Sequence, residues 1–163
     1  MHITDLLFWV LLFAIGVSDA QKHRIPNKLV LALLLVTTLH ILVYEQAAWL
    51  DHLVAGIISF SVCLGLYVLR IMAGGDVKLL FVIGLWLGVD QLAGGLIAII
   101  LAGGVVGGFY LLQYLARSSF SIMYNTRGYY LEKASFGLRK QTKLVIPFAP
   151  IVVIGLASFY YIY

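Results

Sequence analysis

Two carboxylates in this sequence stand where an apolar run ends or begins. Asp19 lies in "VSDAQKHRIPNKLV" and Asp76 in "RIMAGGDVKLL". At the start of a helix a carboxylate accepts backbone N–H bonds and is favoured by the helix dipole, so Asp76 has a structural reading as a cap. Asp19, at the end of a helix, gets no such help, because the dipole disfavours an anion there. At one depth in a bundle the two would make a catalytic pair. Like charge keeps one acid protonated while its partner ionises. Such a pair can activate water as a base, then protonate a leaving amine as an acid. Gly74 and Gly75 would let substrate or backbone approach Asp76 closely and permit unusual dihedrals.

The elements that must carry this pair follow from composition. Of 163 residues, 63% are hydrophobic and 11% charged, and the mean hydropathy is +1.03. A soluble domain has about 25% charged residues, so this is an integral membrane protein. A helix needs about 20 mainly apolar residues to cross a bilayer. Six segments qualify, roughly 3–18, 28–44, 50–71, 77–91, 92–115 and 144–163, with a polar break at Asp90 and Gln91 between the fourth and fifth. The first has no basic residue ahead of it and reads as a span, not a signal peptide. The expected fold is an all-α membrane protein, one domain over 1–163, built as a bundle of six transmembrane helices.

With the amino terminus outside, all eleven Lys and Arg fall on one side. Lys22, Arg24 and Lys28 flank the first inner connection, and Arg70 and Lys78 the second. The third, 116–143, holds the other six, so the positive-inside rule puts both termini on the extracytoplasmic side. Asp5, Glu45, Asp51 and Asp90 lie on the outer side. Asp19, Asp76 and Glu132 remain on the basic side, Glu132 as a solvated loop residue beside Lys133. Asp19 and Asp76 are thus expected at the same, cytoplasmic, depth.

Other candidates carry less. The lone Cys63 can build neither a disulfide framework nor a cysteine zinc site within one chain. His2, His23, His40 and His52 lack the i, i+4 spacing of a helical metal site. No metal or cofactor is therefore expected. The formal charge of +4 is topogenic in placement, so no nucleic-acid partner is expected either. Gly84, Gly88 and the "GGVVGG" stretch (Gly103, Gly104, Gly107, Gly108) read as close helix packing. Lys78 reads first as a headgroup anchor and second as positive charge near the aspartates. Lys22 and Arg24 are topogenic, and the aromatic tail "SFYYIY" supplies interfacial anchors.

"AGGDVK" at 73–78 resembles the Gly-x-Gly-Asp motif of membrane aspartyl proteases, specifically the type IV prepilin peptidases. Their first aspartate closes a span shortly before an Ile-Pro-Asn, as Asp19 precedes Ile25, Pro26 and Asn27. A Pro-Phe-Gly-Pro-like turn opening their last helix is matched by Pro147, Phe148 and Pro150. Ala73 and Ala149 stand where the family pattern has glycine, and both stay small. The resemblance implies Asp19 and Asp76 as the catalytic pair, with Gly74, Gly75, Lys78, Pro26, Asn27, Pro147 and Pro150 in support.

It further implies an aspartic endopeptidase of the bacterial inner membrane. Its partners would be the lipid bilayer and a prepilin or pseudopilin, whose short cytoplasmic leader is cut from a hydrophobic helix. Larger members carry paired CxxC motifs and a methyltransferase activity. One cysteine and a short first loop make this chain similar to the short form that serves tight-adherence (Flp-type) pili, without methyl transfer. The competing readings are a non-enzymatic membrane subunit or small transporter, with Asp19 and Asp76 as a proton or cation relay, and an inactive relative retained for assembly. The relay leaves the Ile-Pro-Asn and Pro-Phe matches unexplained.

Overall fold

In a computed structural model of the chain, residues 2–124 and 147–162 are described. They form five helices: α1 (Ile3–Lys22), α2 (Asn27–Tyr44), α3 (Trp49–Val68), α4 (Gly74–Tyr124) and α5 (Phe148–Ile162). Four of them are long and apolar enough to cross a membrane, counting Gly74–Gln113 of α4 as one, while α5 has 15 residues. Large apolar side chains stay exposed along them, among them Ile3 (79%), Val68 (72%) and Ile100 (71%). Exposure on that scale suits lipid as the solvent, and closed helical hydrogen bonding is what lipid demands. The protein is a multi-pass helical membrane protein.

Several boundaries differ from the sequence reading. The first span does not end at residue 18 but runs to Lys22, where His23 takes a left-handed conformation (φ 49°, ψ 39°) and its N–H donates to the Asp19 carbonyl. Asp19 therefore sits inside the last turn of α1. The expected fourth and fifth spans share α4, and the backbone departs from helix at Gly88 (φ 69°, ψ 173°), not at Asp90 and Gln91. Helix also persists through Tyr124, past the expected end at 115. The rest of the 116–143 connection, Glu132 included, lies outside the described residues.

The chain divides into two compact units. The second comprises 104–146, of which the described residues, 104–124, are helical. In the first, made of 1–103 and 147–163, α1 packs against both α5 and α2. Its core draws Phe8, Leu12 and Ile15 from α1, Leu33 from α2, Leu79 and Ile83 from α4, and Val152 and Leu156 from α5. Lipid tails are as apolar as these side chains, so close van der Waals packing, not release from water, holds them together. Ser59 is buried and satisfied, donating to the Leu80 carbonyl at 2.8 Å.

Contacts show which way each limb of α4 runs. Before Gly88, Leu80 meets Ser59, a Cβ on Gly84 would fall 2.9 Å from the Ala55 carbonyl, and Gly88 meets His52. That limb is antiparallel to α3. After Gly88, Gly94 meets Phe159, Ile99 meets Gly155 and Ile151 meets Gly103. That limb is antiparallel to α5, which itself starts at Asp19 and ends beside Trp86. The two limbs thus run in opposite directions, and Gly88 is the residue whose missing Cβ allows the reversal.

Candidate active site

Asp19 is buried, 6% exposed, although it carries a carboxyl group and sits in the last turn of α1. Its partner resolves the difficulty posed by the dipole of its own helix. The backbone N–H of Ala149 donates to Asp19 Oδ2 at 2.9 Å. Ala149 is the second residue of α5, so its N–H is one of the four that a helix start leaves without an intrahelical acceptor. The carboxylate of one helix end therefore completes the start of another, where the dipole favours it. Ala149 is wholly buried, so nothing larger than a methyl group has room there without displacing a neighbour.

Asp76 lies two residues into α4 after Gly74, with Ala73 as the capping residue before the helix. The Asp76 N–H donates to the Ala73 carbonyl at 3.1 Å. The carboxylate thus stands in the first turn of α4, where the helix dipole favours it. Asp76 is partly buried, with Asp19 among the acids in its electrostatic surroundings.

The segment between α1 and α2 is fastened to the start of α4. Lys78 Nζ donates to Asn27 Oδ1 at 3.2 Å. A Cβ on Gly75 would fall 3.3 Å from Ile25 Cβ, so glycine lets the Ile-Pro-Asn segment lie close. One reading gains a partner and one is corrected. Lys78, read first as a headgroup anchor, also has Asn27 as a protein partner. Neither Gly74 nor Gly75 has positive φ; among the described residues that property falls to His23, Arg70 and Gly88.

The structure thus brings the predicted residues into one neighbourhood: Asp19 with Ala149, Asn27 with Lys78, and Ile25 with Gly75. Pro147 and Pro150 flank the Phe148-Ala149 start of α5. Sequence reading missed the Ala149 N–H, since a backbone donor leaves no trace in residue type. The signal available was the Pro-Phe-x-Pro turn, which fixes where α5 begins. Arg24 and Lys22 are exposed. Among the described residues no group of three or more His, Cys, Asp or Glu is placed to hold a metal ion.

The all-helical membrane chain thus carries Asp19 in the last turn of α1 and Asp76 in the first turn of α4. The type IV leader peptidase family matches residues 6–112, more than half of the chain, and the protein belongs to that family. The match includes Asp19, Asn27, Asp76 and Lys78 and stops short of α5. No curated protein and no solved structure matches the chain.

Proposed function

We propose that this protein is a membrane-embedded aspartic endopeptidase that removes the short leader of type IV prepilin-like substrates, with Asp19 and Asp76 as its catalytic pair. The observation that carries the reading is the Ala149–Asp19 hydrogen bond, 130 residues apart in sequence, in a chain of the leader peptidase family. A buried carboxylate fixed by a helix start and a second, partly buried one in the first turn of α4 supply two acids of unlike environment. One acid takes a proton from water as that water attacks the scissile carbonyl. The other gives a proton to the departing amine.

In this reading the bundle crosses the inner membrane six times, the limbs of α4 before and after Gly88 counting as separate crossings. The opposed contacts of those limbs with α3 and α5 support that count. The partition of Lys and Arg supports extracytoplasmic termini and a site at the cytoplasmic interface. A helical amide must be unwound before attack, since its carbonyl is already bonded, and water at the interface eases that step.

The substrates are those of the short, Flp-type members, and methyl transfer is absent, because one cysteine cannot furnish paired CxxC ligands. Co-expression of candidate prepilins with the wild type and with Asp19→Asn tests the proposal. Leader removal by the wild type alone, leaving an unmethylated amino terminus, is the expected result. Processing by the Asn variant at the wild-type rate overturns it.

A further inference from the structure

Three of the four histidines, dispersed along the chain, meet at the end of the bundle remote from Asp19. His2, His40 and His52 line a vestibule of about 560 Å³, together with Asp5, Glu45, Asp51 and Asp90. Among the described residues no lysine or arginine lines it. The walls are partly aromatic. Trp9 and Tyr160 meet at 80° with centroids 5.9 Å apart, and Trp86 Nε1 donates to the Tyr160 hydroxyl at 3.0 Å.

Two imidazoles are already oriented. His52 Nδ1 lies 2.7 Å from the Leu85 carbonyl oxygen, which can only accept. Nδ1 therefore carries a hydrogen, and Nε2 of the neutral ring is an acceptor. His40 Nδ1 lies 2.8 Å from Thr4 Oγ1 and 3.4 Å from Asp5 Oδ1, which fixes that ring by the same nitrogen. A Cβ on Gly88 would fall 3.2 Å from His52 Cε1, so the glycine at the reversal also makes room for this ring.

The lining decides what fits. Four carboxylates, with no lysine or arginine beside them among the described residues, repel anions and concentrate cations. No three ligands converge on a bare metal ion among the described residues, and the space is far larger than one ion needs. The volume lies within the range of small-molecule sites, about 300–1,000 Å³. Trp86 is already stacked on Phe8 and faced by His40, so Trp9 and Tyr160 are the rings able to attract an organic cation, and an imidazole Nε2 can accept from an N–H or O–H that it carries. We propose that the vestibule binds a small organic ammonium cation, supplied either as a free amine or as the headgroup of a lipid. This is independent of the peptidase reading, since it uses neither Asp19 nor Asp76.

Trp9 and Trp86 provide the readout. In full-length protein carrying Trp49→Phe to reduce background, choline should change the tryptophan emission saturably in detergent. Its neutral isostere 3,3-dimethylbutanol should not. Asp51 and Asp90 are exposed, so the double variant Asp51→Asn/Asp90→Asn should fold, and it should bind choline at least tenfold more weakly. A lipid source would show instead as an emission difference between phosphatidylethanolamine and phosphatidylglycerol nanodiscs, abolished in the same double variant. Equal effects of choline and dimethylbutanol, an unchanged double variant, or silence in both arms would overturn the proposal. So would a response to Zn²⁺ that no ammonium compound reproduces.

Discussion

The backbone N–H of Ala149 donates to Oδ2 of Asp19 at 2.9 Å, joining the start of the last helix to the end of the first. Ala149→Pro removes that donor and also adds ring atoms at a wholly buried position. A hydrogen bond to a charged group contributes about 1.5–3 kcal/mol, so with the added crowding cleavage should fall by at least roughly 10- to 150-fold. Ala149→Gly keeps the donor and should stay within a few-fold of wild type. Kinetics on a purified prepilin, with kcat and KM separated, check both.

The aspartates should behave as a unit. Asp19→Asn and Asp76→Asn are each expected to lower cleavage by about 10²–10⁴-fold. The double variant should be no worse than either single one, because a pair that works together cannot be lost twice. Glu132→Gln should cleave normally. An additive double variant would separate the two residues into different roles.

Asn27 and Lys78 offer a test of the clamp between the first connection and α4. Lys78→Met and Asn27→Leu should each slow cleavage about fivefold, equivalent to ~1 kcal/mol for one hydrogen bond. Asn27→Asp retains an acceptor for Lys78 and should recover the rate. If Asn27→Asp is as slow as Asn27→Leu, the bond is not what matters at that position.

Glycines in α4 should differ sharply in what they tolerate. Gly88 has φ 69° and ψ 173°, a region open essentially to glycine alone. Gly88→Ala should cost about 1–3 kcal/mol and lower the unfolding temperature in detergent. A Cβ on Gly104 meets nothing within 4 Å, so Gly104→Ala should be neutral or up to about 1 kcal/mol stabilising through helix propensity. Thermal unfolding of the two variants side by side is the measurement.

Sidedness is open to labelling once Cys63 is replaced. New cysteines at Gln46 and Gln91 should react with an impermeant reagent in intact cells, and one at Ser119 should not. The reverse pattern would invert the topology and put the aspartates on the outer side.

Residue type alone was enough to reveal the solvent, because 63% hydrophobic and 11% charged residues cannot be dissolved as a soluble domain. The catalytic candidates were legible too. Asp19 and Asp76 are the acids that interrupt apolar runs on the basic side, and charge in such a place is costly enough to need a reason. Helix ends were less legible, since lipid-facing and buried stretches read alike, and α1 absorbed Asp19 into its last turn.

Tertiary structure decided what depends on distance between remote segments. A backbone donor such as the Ala149 N–H has no side-chain signature, so its aim at Asp19 appears only once α5 is docked on α1. Gly88 looks in sequence like its neighbours Gly84 and Gly94, and only its dihedrals mark the reversal of α4. His2, His40 and His52 lack any helical spacing, because separate turns of α1, α2 and α3 deliver them. Local sequence reports solvent and propensity over a few residues; which helix ends share a depth and face one another is set by packing of the whole bundle.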